Sequence, residues 1–208
     1  MAMHRLAPPM KLLLASSSPY RQQLLNRLGI PFDTATPNVD ESMHANEAPE
    51  AYVKRLAISK AQALRTDWPN HWIIGSDQCS VINNQIAGKP HTTEKAIEQL
   101  QSCSGQKVTF YTGLCLAAPD GSLQALVEPF RVQFRPLSLN EIERYIALEQ
   151  PLDCAGSFKV EGLGINLFSS LNGRDPNSLM GLPLIALLEM FRQAGFNPLE
   201  LVSTSYHA

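Results

Sequence analysis

The chain has 208 residues, 44% of them hydrophobic, and 17 Lys and Arg against 19 Asp and Glu give a formal net charge of -2. That length builds one globular domain or two small lobes sharing a cleft, and the near-neutral charge excludes a general attraction for nucleic acid or an anionic membrane, so any polyanion site is local. The four cysteines, Cys79, Cys103, Cys115 and Cys154, form no CxxC pair and read as reduced thiols of a cytoplasmic protein, and no stretch has the length of a membrane span or the apolar core of a signal peptide.

Residues 1–9 read as a disordered extension ahead of a single domain over 10–200. Leu12 to Ala15 is a short apolar run, predicted to be a buried strand. It ends in Ser16, Ser17, Ser18 and Pro19, and a helix follows to about Leu28, stopped at Gly29. Phe32 to Thr36 is a second short strand, Val39-Asp40-Glu41 lies in a polar loop, and a long helix runs from Pro49 to about Leu64. Trp72 to Ser80 reads as a central strand, and Val81 to Ala87 as a hairpin turning at Asn83-Asn84. Thr92 or Thr93 caps a helix to about Cys103. Val108 to Ala118 and Leu123 to Arg135 form a long hairpin across Pro119-Asp120-Gly121. Ser138 and Glu141 make a capping box for a helix to about Leu148, and Leu182 to Ala194 is a nearly all-apolar, hence buried, helix. Interleaved strands and helices with one long hairpin indicate an α/β fold with a mixed sheet.

Several positions along this order carry chemistry. The serines and the free N–H groups at the start of the first helix form an anion site, to which Arg21 adds a fixed positive charge. Lys60 falls on the apolar stripe of its helix with Val53, Leu56, Ala57 and Leu64, so it either snorkels outward or meets a buried anion. Asp77 is expected at the end of the strand from Trp72, where it caps a turn, binds a divalent cation or takes a proton from water. Lys89, between Gly88 and Pro90, is a rigidly presented cation or an exposed turn lysine. Asp175 reads as a turn residue. A P-loop, a GxGxxG fingerprint, a GxSxG elbow and histidines at ligand spacing are all missing from the sequence.

In this order, Ser16-Ser17-Ser18-Pro19-Tyr20-Arg21, Val39-Asp40-Glu41, Lys60, Gly75-Ser76-Asp77-Gln78, Gly88-Lys89-Pro90, Ser157-Phe158-Lys159-Val160-Glu161-Gly162 and Asp175-Pro176-Asn177 resemble the Maf family of nucleotide pyrophosphatases over roughly Met10 to Pro198. The resemblance implies a fold like that of the inosine triphosphate pyrophosphatases, with an elongated mixed sheet flanked by helices and two lobes around a cleft. It implies hydrolysis of a nucleoside triphosphate to the monophosphate and pyrophosphate with a divalent cation, magnesium or manganese. Asp77 would activate water, Glu41 and Asp77 would hold the metal, and Ser16, Arg21, Lys60 and Lys89 would bind the triphosphate.

Tyr20, Gln78 and Glu161 stand at positions that separate branches of the family, and this trio resembles the branch acting on 7-methyl-GTP. Methylation at N7 makes guanine cationic, so a tyrosine ring and a carboxylate suit it. The alternatives are a Maf-type pyrophosphatase for UTP, dTTP or a modified base, and a nucleotide-binding regulator of septum formation. The expected partner is a small-molecule nucleotide, with neither nucleic acid nor membrane, and the resemblance is compatible with a homodimer.

Overall fold

Leu12, Leu13, Leu14 and Ala15 are all buried because helices cover both faces of the sheet they enter. A computed structural model of the chain describes residues 10–203 apart from Asn84, so the extension expected at residues 1–9 lies outside the described residues. The strands are β1 (Leu12–Ala15), β2 (Asp33–Ala35), β3 (Trp72–Ile82), β4 (Gln85–Ala87), β5 (Lys107–Ala117), β6 (Leu123–Phe134) and β7 (Phe168–Asn172). The helices are α1 (Pro19–Asn26), α2 (Pro49–Ala63), α3 (Thr93–Cys103), α4 (Leu139–Glu149) and α5 (Leu184–Gln193). The sheet runs β2-β1-β3-β5-β6-β7, with β4 on the far end of β3. β1 is parallel to β2 and β3, and the other pairs are antiparallel, which makes the mixed sheet that the sequence indicated.

Local signals set the ends of these elements. Ser18 caps α1 by accepting the Arg21 N–H, and Pro19 opens the helix. Thr92 caps α3, and the capping box of Ser138 and Glu141 starts α4. Helix α5 buries Leu184, Ala186, Leu187, Met190 and Phe191 on one face and leaves Ile185 exposed, so it is amphipathic rather than buried all round.

The expectation that Asp77 ends a strand is corrected: β3 continues to Ile82. The polar residues do not break it because β5 pairs along it, with Asp77 opposite Gly113, Gln78 opposite Thr112 and Ser80 opposite Phe110. The strand that ends here is β1, whose last pair is Ala15 with Gly75. Asp77 therefore stands just past the carboxyl end of β1 while remaining inside β3.

The apolar core divides at the same level. One cluster gathers Leu12, Leu14, Ile74, Leu114 and Leu116 with α1 and α5, and another packs Leu13, Ile73 and Cys115 under α2. A third lies at the far end of the long strands, where Ile82, Val108 and Phe110 meet α3 and α4. Residues 76–80 of β3 and 111–113 of β5 cross between these cores, and the cleft opens there. Strand β7 had no signal in the sequence, because Ser169, Ser170, Leu171 and Asn172 are exposed at the sheet edge and its pairing with β6 is not local.

Candidate active site

The turn after β1 folds inward on its own hydroxyls. Ser16 is buried, and its Oγ accepts the Ser18 N–H at 3.1 Å and lies 3.4 Å from Arg21 Nη1. Arg21 Nε donates to the Gly181 carbonyl at 2.8 Å, and Ser76 Oγ stands 2.8 Å from the same oxygen. Gly181 has a φ of 90°, a left-handed conformation, and a Cβ on it would stand 3.0 Å from Arg21 Nε. Desolvation pulls the Arg21 guanidinium below its ordinary range, and the Asp77 and Glu41 carboxylates pull it back up.

Helix α2 reaches the sheet through two glycines. A Cβ on Gly75 would fall 2.0 Å from the Ala57 carbonyl oxygen, and one on Gly113 would fall 2.1 Å from that of Val53. With α2 lying directly on β3 and β5, its buried Lys60 comes down beside Asp77, also buried. Lys60 Nζ is 2.6 Å from Asp77 Oδ1 and 2.9 Å from Glu41 Oε1. The stripe position of Lys60 thus marks a cation facing two carboxylates, the buried Asp77 and the exposed Glu41.

Glu41 is 58% exposed at its side chain, and its loop is fixed from α2. Tyr52 Oη donates to the Glu41 carbonyl at 3.0 Å. Arg55 grips both oxygens of Glu47 at 2.6 and 2.7 Å and donates to the Ser42 carbonyl. That pairing holds the Glu47 carboxyl down at about 2. Glu41 and Asp77 converging on one cationic atom form a donor set that suits magnesium or manganese, which takes one or two carboxylates and completes its shell with water and phosphate oxygens. No group of three or more His, Cys, Asp and Glu gathers as a metal cage among the described residues.

In the same cleft, Tyr20 stands near Asp153, Cys154 and Glu161. Burial pushes its phenol up most, and the neighbouring thiol and carboxylates push it further. Cys154 Sγ lies 3.5 Å from Asp153 Oδ1, and burial pushes its thiol up to about 12. All four cysteines are free. The Gln78 amide nitrogen is held by the protein itself, donating to Thr112 Oγ1 at 3.1 Å and to the Ser178 carbonyl at 2.5 Å. The 3-10 turn at Pro176–Met180 that presents Ser178 is fixed by Asp175, fully buried, which accepts N–H groups from Asn177 and Ile185. Asp175 is thus the turn residue expected.

Ser16, Tyr20, Arg21, Glu41, Lys60, Asp77, Gln78, Lys89 and Glu161 all line one cleft of about 680 Å³. Lys89 and Glu161 are on its exposed rim. The same cleft is lined by Tyr52, Asp153 and Gly181, which sequence reasoning missed. Gly181 and Tyr52 have no local signature, since their partners Arg21 and Glu41 are remote in sequence. Asp153 lies four residues before Ser157 and reads alone as a loop carboxylate.

Two solved structures are similar to this chain, and the first of them shares its fold. The Ham1 protein of Staphylococcus aureus matches with a TM-score of 0.52 and 14% identity, over 89% of this chain and 100% of that one. A nucleoside-triphosphatase, dITP/XTP pyrophosphatase, from Mycobacterium abscessus matches with a TM-score of 0.45 and 16% identity, over 88% of this chain and 100% of that one. The model of the Maf-like protein family matches residues 11–194, which span every element from β1 to α5 and the whole cleft. With nearly all of its length matched, this chain belongs to the Maf-like protein family.

Proposed function

We propose that this nucleotide pyrophosphatase acts on 7-methyl-GTP, releasing 7-methyl-GMP and pyrophosphate. The observation that carries the reading is the polarity of the cleft. Arg21, Lys60 and Lys89 supply positive charge toward a triphosphate, while Asp153 and Glu161 sit near Tyr20. A cationic purine gains from both features of that acidic group: its ring meets the tyrosine face, and its N–H groups meet a carboxylate. A neutral pyrimidine gains less from either.

In this mechanism Ser16 and the N-terminus of α1 orient the phosphates, and Arg21, fixed on the Gly181 carbonyl, presents a stationary charge to them. Asp77 takes a proton from water as the water oxygen bonds to phosphorus, the α–β anhydride bond breaks and pyrophosphate leaves. Glu41 and Asp77 would hold a divalent cation, which supplies charge neutralisation at the anhydride when bound. No covalent nucleophile is required.

The test is a panel of 7-methyl-GTP, GTP, UTP and dTTP with magnesium or manganese and full product analysis. The expected result is the highest kcat/KM for 7-methyl-GTP, with pyrophosphate and 7-methyl-GMP as products. Faster turnover of UTP or dTTP overturns the base assignment, and orthophosphate as the first product overturns the reaction.

A further inference from the structure

Lys60 is oddly placed for a group expected to bind triphosphate. Its ammonium is engaged by two carboxylates, Asp77 Oδ1 at 2.6 Å and Glu41 Oε1 at 2.9 Å, and its side chain is 8% exposed. We infer that Lys60 is an internal counter-ion that couples metal entry to triphosphate binding: its ammonium holds the Glu41–Asp77 pair in the resting protein and passes to phosphate when a divalent cation takes that pair. This inference rests on the reading that the carboxylate pair receives the cation.

Four features of the structure support it. The helix cannot withdraw the lysine, because the Gly75 contact seats the α2 backbone between Ala57 and Ala61 directly on β3. Exchange therefore falls to the flexible side chain, which pivots while its Cα stays in place. Lys60 also lies in the last turn of α2, where the helix dipole favours a cation. The two carboxylates differ in exposure: Asp77 is buried inside β3, whereas the Glu41 side chain is 58% exposed and open to an arriving cation. Finally, Arg21 cannot play the same part, since its Nε is committed to the Gly181 carbonyl.

The charge balance fixes the coupling. A divalent cation arriving alone meets a competing ammonium, and displacing it leaves a buried cation without an anion. A triphosphate arriving alone meets an ammonium already neutralised by carboxylates. When both arrive, the metal takes the carboxylates and the phosphates take Lys60. Each ligand then raises the affinity of the other by the same factor.

The experiment measures Mn²⁺ binding by electron paramagnetic resonance, with and without the α,β-methylene analogue of GTP, which resists α–β hydrolysis. It compares wild type, Lys60→Met, Lys60→Arg and the double variant Glu41→Gln, Asp77→Asn, each first checked for cooperative thermal unfolding. Without nucleotide, Lys60→Met is expected to bind Mn²⁺ at least fivefold more tightly than wild type, and Lys60→Arg within about twofold of it, because the arginine keeps the charge. The analogue is expected to tighten Mn²⁺ at least tenfold in wild type and to do so much less in Lys60→Met. Equal or weaker Mn²⁺ binding by Lys60→Met, with none in the double variant, overturns the counter-ion role and leaves the metal reading standing. Unchanged Mn²⁺ binding in the double variant overturns the metal reading and the inference with it. If Lys60→Met does not fold, wild type alone decides: Mn²⁺ affinity indifferent to the analogue overturns the coupling.

Discussion

Gly113 is the register partner of Asp77, and it lacks a side chain where the Val53 carbonyl of α2 lies against β5. Helix and sheet therefore approach closely beside the carboxylate that Lys60 must reach. Gly75, two residues before Asp77, makes the second such contact with Ala57. These glycines set the height of α2, and that height sets the Lys60–Asp77 distance of 2.6 Å.

Gly113→Ala should separate the pair. The added methyl meets backbone, which does not yield, so α2 must lift. Overpacking of this kind costs about 1–3 kcal/mol. Denaturant unfolding should report that loss, and kcat should fall with it. Unchanged stability would show that α2 moves freely, contrary to the packing described.

Asp77→Asn should leave the fold intact and lower turnover by about 10²–10⁴-fold, the scale of a lost general base. The amide keeps the shape of the side chain while removing its basicity and charge. Pyrophosphate release and circular dichroism check the two halves of this expectation. Near-normal turnover would remove Asp77 from proton transfer.

Glu161→Gln should lower the kcat/KM ratio of 7-methyl-GTP over GTP by about 10-fold or more, since a hydrogen bond to a charged partner contributes about 1.5–3 kcal/mol. Tyr20→Leu should lower the same ratio by about 2–30-fold, from a cation–π contribution of about 0.5–2 kcal/mol. Unchanged ratios in both variants would place base recognition elsewhere.

Arg55→Gln should act on the metal requirement more than on the chemistry. Arg55 holds the loop carrying Glu41 through Glu47 and Ser42, and it is remote from Asp77 in that network. The divalent cation concentration for half-maximal activity should rise roughly 10-fold, the low end of what groups that orient a metal ligand contribute. At saturating cation, kcat should recover.

The α4 capping box gives a pH-dependent stability. The Ser138 backbone N–H, then Arg135 and the Ser138 hydroxyl, hold the Glu141 carboxyl down at about 2 from an ordinary 4.5. A depressed carboxyl stabilises the fold fully above its unfolded value and loses that effect as pH falls from 4.5 toward 2. Glu141→Gln should therefore show a lower Tm than wild type at neutral pH, with the gap closing through that acid range. A gap independent of pH would exclude the charged carboxylate as its source.

The sequence by itself determined what depends on neighbours along the chain. Ser18 and Pro19 start α1, Ser138 and Glu141 start α4, Pro119-Asp120-Gly121 turns the long hairpin, and the apolar runs mark the central strands. It also displayed the ordered motifs whose residues line the cleft, and the anomaly of Lys60 on an apolar stripe. Only the tertiary structure decided where those residues meet. Arg21 and Gly181 are 160 positions apart, Gln78 and Ser178 are 100 apart, and Lys60 reaches Asp77 across 17. No local pattern encodes such pairs, because sheet register and helix seating create them. For the same reason Asp77, which reads as a strand end, stands mid-strand: β5 supplies its backbone partners from elsewhere in the chain, and β1 alone stops beside it.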